Sequence, residues 1–230
     1  MIKQFGERHW PRPALADSYG VCMPMPQGRL VRVHPDHPEP RKIQRAAEAL
    51  SNGRLIAWPT DTGYALACGL YNRRGLDLLR RLRGLDASHP FTFAVKNLSR
   101  VTHYAVVENR DFSYLKRMLP GPYTVVLRST KVVPRILHNK RKAVGIRVID
   151  HCVSKALVDT MDEAIITTSA VADGHHLAYP EEIKDVFGHA LDQILDVEYL
   201  PANESSVIDL SGTHPRVLRE GLGDLSWFEH

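Results

Sequence analysis

Short apolar runs and helical patterns follow one another along this chain without strict alternation, and that irregularity constrains the fold more than any other feature. LIAW (55–58), FTFAV (91–95), YTVVL (123–127), AVGIRV (143–148) and AIITTS (164–169) read as strands, rich in β-branched and aromatic residues and bounded by turn formers. QILDV (193–197), SVIDL (206–210) and RVLRE (216–220) read as three more, separated by turns. Between them, RKIQRAAEALSNG from Arg41 places Ile43, Ala46, Ala47 and Leu50 at helical spacing and ends at Gly53. GLDLLRRLRG from Gly75 repeats the pattern with Leu76, Leu79 and Leu82 inward and Arg80, Arg81 and Arg83 outward. Further helices are expected at 112–119, 153–161 and 181–187. This mixture predicts an α/β protein: a single-domain twisted mixed β-sheet with flanking helices.

The chain has 230 residues, 43% hydrophobic and 24% charged, which suits one soluble globular domain with a full core. The expected organisation is an irregular N-terminal arm over 1–29, the domain over 30–223 and a C-terminal tail over 224–230. No apolar stretch reaches the roughly 18 residues a membrane helix needs. The N-terminal stretch is broken by Pro and Gly and lacks a signal peptide's apolar core, so a cytoplasmic protein without membrane partners is expected. Cys22, Cys68 and Cys152 show no metal-ligand or redox-pair spacing and read as buried or idle thiols.

The formal net charge of +4 hides a segregation. Residues 73–147 carry 17 Lys/Arg against 4 Asp/Glu, a net +13, while residues 148–230 carry 4 against 16, a net −12. Two such blocks either pair across one fold or leave a basic surface for phosphate or nucleic acid, double-stranded RNA included.

Four segments share a pattern that composition does not require. WPTDT, PGPYT, TTSA and ESSV each put Thr or Ser at the edge of a predicted strand. Taken alone, PTDTG is an adequate turn. Hydroxyls and free backbone N–H groups at several strand ends also hold small polar ligands or phosphates without a P-loop. Arg147 strengthens that reading, because an arginine inside an apolar strand must meet an anion, an internal partner or solvent. Arg81 and Arg83 are explained equally well as helix-end cations that complement the macrodipole.

Other signatures are missing or incomplete. There is no G-x-x-x-x-G-K-[ST], no G-x-G-x-x-G after a strand, no H-E-x-x-H and no G-x-S-x-G. Ser113 and Lys116 match S-x-x-K without its companion motifs, and His175-His176 read as a solvated loop.

In their order these blocks resemble the YrdC/YciO family, whose best-known members make threonylcarbamoyl-adenylate for the threonylcarbamoyladenosine modification of tRNA. Residues 59–66 (PTDTGYAL) are similar to its P-T-[DE]-T-x-Y-G-L block, Arg81-Leu82-Arg83 to K-x-R, and Pro120 to Thr124 to P-G-P-x-T. Val144 to His151 resembles V-x-R-x-P-x-H, Ser169-Ala170-Val171 resembles S-A-N, Glu204-Ser205-Ser206 resembles E-S-T, and residues 218–221 resemble L-R-x-G. VHPDHPEPRKI, NKRKAVGIRV and REGLGD look closest to the YciO branch. Relative to the synthases, Arg81 stands for Lys, Ala65 for Gly, Val171 for Asn and Ile149 for Pro.

The resemblance implies a basic, concave cavity that takes ATP as substrate with Mg2+, L-threonine and bicarbonate. By matching positions, Thr60, Thr62 and Arg147 would sit at threonine or its carbamate. Arg81, Arg83, Thr124, Ser169, Ser205 and Arg219 would serve the nucleotide and its phosphates. The alternative reading is a non-catalytic protein that binds RNA or a nucleotide in the same cavity.

Overall fold

The computed structural model describes residues 27–85, 91–137 and 142–228. Twelve strands are found there: β1 (Arg29–Arg32), β2 (Leu55–Thr60), β3 (Gly63–Gly69), β4 (Thr92–Ala94), β5 (Tyr123–Arg128), β6 (Ala143–Arg147), β7 (Ile165–Ser169), β8 (Val171–Ala172), β9 (His175–His176), β10 (Leu191–Asp196), β11 (Ser206–Asp209) and β12 (Arg216–Arg219). The helices are α1 (Pro40–Ser51), α2 (Arg73–Leu82), α3 (Leu98–Tyr104), α4 (Asn109–Met118), α5 (Cys152–Met161) and α6 (Pro180–Phe187).

Ten strands form one mixed sheet in the order β1-β10-β2-β3-β7-β4-β6-β5-β11-β12. β1 pairs parallel with β10, β10 with β2, β4 with β6 and β11 with β5, while the remaining neighbours are antiparallel. The twisted mixed sheet with flanking helices expected from the sequence is therefore the observed fold. α1 and α5 pack on each other and on β2, and α6 packs on β10 and β1.

The helices start and stop for local reasons. Pro40 opens α1, where its missing N–H removes no helical bond, and Gly53 at φ +80° ends the turn that follows. Asn72 caps α2 by accepting from the Gly75 N–H at 2.8 Å. α4 begins at Asn109, earlier than its apolar spacing suggests, because Glu108 and Asp111 form a reciprocal capping box.

The pleat sorts the central strands into two faces. On β5, Val125 and Leu127 are buried in the core, while on β6 Val144 and Ile146 join them. The alternate residues Thr124, Val126, Ala143, Gly145 and Arg147 are left on the opposite face, where they line a cavity.

Several expectations are refined. Arg29, counted with the N-terminal arm, opens β1, and residues 1–26 of that arm, with Cys22, lie outside the described residues. His175 and His176 form β9 of a two-stranded hairpin with β8 rather than a plain loop. Residues 224–228 pack on the domain: Tyr123 donates to the Asp224 carbonyl at 2.9 Å, and Arg117 lies over the Trp227 ring. Cys68 is buried and Cys152 exposed. The charge blocks partly pair, with Lys96 to Asp159 at 3.2 Å and Arg100 against Asp162. Among the described residues no helix is long and apolar enough to cross a membrane.

Candidate functional site

The cavity on the open face of the sheet measures about 580 Å³, within the range of small-molecule sites. Its wall includes Thr60, Thr62, Thr124, Arg147, Ser169, Ser205 and Arg219, so seven of the nine residues singled out from sequence meet around one space.

They meet in two clusters. In the first, the PTDTG turn between β2 and β3 folds Thr60 back so that its Oγ1 donates to the Gly63 carbonyl at 2.6 Å and accepts the Thr62 N–H at 3.2 Å. The two threonine hydroxyls lie 3.2 Å apart, and Arg147 Nη1 donates to Thr62 Oγ1 at 2.9 Å. Arg147 Nη2 pairs with the Asp61 carboxylate, whose other oxygen accepts the Asp150 N–H at 3.1 Å. Gly63, at φ +120°, lets this turn run close beneath residues 201 and 202. The Asn203 N–H donates to the Thr62 carbonyl at 2.9 Å, holding the segment that leads to Ser205 against the turn.

In the second cluster, Thr124 and Ser205 share a hydroxyl hydrogen bond at 2.7 Å across β5 and the segment before β11. Arg219 reaches in from β12, donating from Nη2 to Ser205 Oγ at 3.1 Å and from Nε to the Ser205 carbonyl at 3.0 Å. Its third nitrogen faces Glu204 at 3.2 Å.

Arg147 is the electrostatic centre. It is only 8% exposed, and its buried Nε–H has no hydrogen-bond partner. Burial lowers its pKa, the Asp61 carboxylate opposes that, and the positive charge of Arg219 lowers it further. The guanidinium stays charged because its ordinary value lies so high. Arg147 is paired with Asp61 and Arg219 with Glu204, and both guanidiniums face the hydroxyl-lined space, a donor set chemically able to hold an anion.

The remaining sequence candidates stand elsewhere. Arg81 is exposed at the end of α2 and is not on the cavity wall. Arg83 is half-buried, donates from Nη1 to the Val171 carbonyl and is also not on the wall; burial lowers its pKa. Ser113 donates to the Arg110 carbonyl at 3.1 Å, and Lys116 lies over the Phe112 ring, so the S-x-x-K match joins no acyl-transfer machinery.

No individual site role was assigned from sequence to Asp61, Thr92, Gly145, Thr167, Asp209 or Leu218, although Asp61, Thr167 and Leu218 lie within the WPTDT, TTSA and L-R-x-G segments. The register brings Thr92 opposite both Gly145 and Thr167, forming the floor. At Gly145 a Cβ would stand 3.1 Å from Thr124 Cγ2, so the glycine keeps that floor hollow. Trp58 Nε1 donates to Thr167 Oγ1 at 3.1 Å and fixes the floor to the core. Asp209 had the same sequence signal as Arg147, a charge inside an apolar strand. It is 2% exposed; burial works to raise its pKa, but Ser211 and Arg216 outweigh that and hold it below the ordinary carboxylate value. Tyr64, also on the wall, spends its hydroxyl on structure, donating to the Glu198 carbonyl at 2.8 Å and accepting the Val197 N–H at 3.0 Å.

Among the described residues no group of three or more His, Cys, Asp or Glu side chains is placed to hold a metal ion. Asp209, the carboxylate on the wall, is already occupied by Ser211 and Arg216. The wall does not fit a metal site built from protein ligands.

Fold and site together define a single-domain α/β protein with an arginine- and hydroxyl-lined cavity on the open face of a mixed sheet. The chain belongs to the Sua5/YciO/YrdC family, described as Telomere recombination, which it matches over residues 48–221. It is 38% identical to the uncharacterized protein YciO of Escherichia coli K12 over 199 residues, covering 85% of this chain and 97% of that protein. The crystal structure of E. coli YciO superposes with a TM-score of 0.84 at 37% identity, covering 86% of this chain and 98% of that one. More distantly, the chain is 29% identical to threonylcarbamoyl-AMP synthase of Pyrococcus abyssi, covering 78% of this chain and 54% of the synthase. The P. abyssi Sua5 crystal structure complexed with L-threonine superposes with a TM-score of 0.77 at 26% identity, covering 84% of this chain and 57% of that one.

Proposed function

We propose that the protein binds ATP and L-threonine in this cavity and makes L-threonylcarbamoyl-adenylate, supplying the threonylcarbamoyladenosine modification of tRNA. One observation carries the reading: Arg147, an arginine at the end of an apolar strand, stands on the cavity wall with Thr60 and Thr62, and the guanidinium of Arg219 stands on the same wall. Fixed guanidinium and hydroxyl donors around one space suit a ligand anion. The relationship to threonylcarbamoyl-AMP synthases, and the L-threonine in the P. abyssi structure, support an amino-acid carboxylate or carbamate as that anion.

In this reading the threonine amine combines with bicarbonate, losing water, to give a carbamate. A carbamate oxygen then attacks the α-phosphorus of ATP, and pyrophosphate leaves with the electron pair of the broken P–O bond. The chain must align two anions that repel one another, which is a task for fixed cations and donors. Thr60, Thr62 and Arg147 orient the carbamate. Thr124, Ser169, Ser205 and Arg219 receive the nucleotide. On the wall itself Arg219 is the cation beside the nucleotide residues and Arg147 the one beside the carbamate, while Arg81 and Arg83, which are off the wall, would meet only a triphosphate that extends beyond it. Mg2+, which the family resemblance implies, would enter on phosphate oxygens, since the wall offers no ligand set of its own.

Incubation with ATP, L-threonine and bicarbonate is expected to release pyrophosphate in a threonine-dependent manner. Release no faster than without threonine rejects the synthase reading.

A second reading, binding of RNA, double-stranded RNA included, rests on Arg73, Arg74 and Arg81, which are exposed along α2 within the basic segment. It calls for affinity that falls steeply as salt rises, and no detectable binding of duplex RNA at low salt would reject it.

A further inference from the structure

The pairing of β12 with β11 contains an irregularity next to the cavity. Val207 lies opposite Arg219 and Ile208 opposite Val217, so Leu218 is an extra residue on the edge strand. A β-bulge of this kind interrupts the strict alternation of faces and re-aims a side chain. Both Leu218 and Arg219 consequently line the cavity, although adjacent strand residues ordinarily face opposite ways.

Leu218 remains 53% exposed there, a large apolar side chain standing at the cavity rather than in the core. Val207, the wall residue paired with Arg219, stands next to the bulge, so Leu218 and Val207 put apolar surface beside that guanidinium. The β6–β5, β5–β11 and β11–β12 pairings carry the wall from Arg147 past Thr124 and Val207 to Arg219. An anion held between Arg147 and Arg219 would lie over Thr124 and Ser205, with Thr62 at the Arg147 end and Leu218 at the Arg219 end.

We propose that Leu218 is the contact for the planar heteroaromatic base of the bound nucleotide, with the β12 bulge presenting Leu218 to the base and Arg219 to the phosphates. The proposal rests on the nucleotide-binding reading above and adds to it the residue that distinguishes a nucleotide from a bare polyphosphate. The chemistry is apolar: a base face covers a side chain that is otherwise half in water, and the gain follows the area removed from water. Such a contact favours large flat rings and makes little demand on the base's hydrogen-bonding edge.

Titration calorimetry with two probes, ATP and inorganic tripolyphosphate, tests this on the full chain. Wild type is expected to bind ATP more tightly than tripolyphosphate. Leu218→Ala should weaken ATP about tenfold, equivalent to about 1.4 kcal/mol, and leave tripolyphosphate unchanged. Leu218→Phe, which keeps an apolar surface, should retain ATP binding. Arg219→Ala should weaken both probes. Unchanged ATP affinity in Leu218→Ala, or equal loss for the two probes, overturns the proposal. Equal wild-type affinity for ATP and tripolyphosphate overturns it too while leaving polyphosphate binding intact. Wild type that binds neither probe refutes the nucleotide reading and this proposal with it. Because Leu218 is exposed on an edge strand, its replacement is not expected to disturb folding.

Discussion

Arg147 and Asp61 form an ion pair in which each side chain is only 9% exposed. The carboxylate belongs to the PTDTG turn and the guanidinium to the end of β6, so one contact ties the turn to the sheet and points the arginine at the cavity. Removing one partner of such a pair leaves the other charge buried and uncompensated. Asp61→Ala is expected to destabilise the protein by about 3–5 kcal/mol in urea unfolding, and the double variant Asp61→Ala/Arg147→Met to recover most of that loss. A double variant as unstable as the single one would show that the pair is not what Asp61 contributes.

The hydroxyl of Thr62 is the acceptor for Arg147 Nη1. Thr62→Val keeps the shape and deletes that acceptor, so the guanidinium loses its orientation toward the amino-acid end. Affinity for L-threonine by calorimetry is expected to fall about tenfold or more, the order of one buried hydrogen bond to a charged group. ATP affinity should change far less.

His151 couples stability to pH through a helix cap. Its Nδ1 accepts the Val153 N–H at 3.2 Å at the start of α5, which requires the neutral ring, and burial lowers its pKa from the ordinary value of 6.5. The unfolded chain therefore takes up the proton first as pH falls. The contribution of His151 is fully present above about 6.5 and is lost as pH drops through the depressed folded value. His151→Asn keeps a capping acceptor but cannot titrate. Comparing urea midpoints at neutral and mildly acidic pH, wild type should lose more stability than His151→Asn; parallel losses would exclude His151 as the source.

Gly63 combines a positive φ of +120° with close packing, since an added Cβ would stand 3.2 Å from the Pro201 carbonyl oxygen and 3.3 Å from Ala202 Cα. Gly63→Ala is expected to cost more than about 1 kcal/mol and to weaken L-threonine binding, because the turn that positions Thr60 and Thr62 must shift. Unaltered urea stability would contradict this.

Val171 stands where the synthases have Asn, and its carbonyl, not its side chain, accepts from Arg83. Val171→Asn therefore adds an amide without removing that bond, and Arg81→Lys restores a compact ammonium at the end of α2. Neither position is on the cavity wall, so the double variant is expected to release pyrophosphate at the wild-type rate. A gain of roughly tenfold, about 1.4 kcal/mol of barrier, would show that these two positions reach the reacting groups after all.

The sequence by itself marked eight of the ten strands of the main sheet, missing β1 and the central β3, and seven residues of the cavity wall. β-branched runs ending in hydroxyls, and an arginine inside an apolar strand, are local patterns with local physical reasons, and Thr60, Thr62, Thr124, Arg147, Ser169, Ser205 and Arg219 were legible from them and from the family resemblance. Only the tertiary structure decided the strand order, which sets β6 beside both β4 and β5 and brings the two hydroxyl clusters around one space. Pairing partners separated by tens of residues leave no periodic trace. Asp61 reads as a turn former until Arg147 is placed against it, and Gly145 reads as a weak spot in a strand until Thr92 and Thr124 flank it. Leu218 shows the limit most clearly: alternation assigns it to the face opposite Arg219, and only a register shift between two paired strands puts both on the same cavity wall.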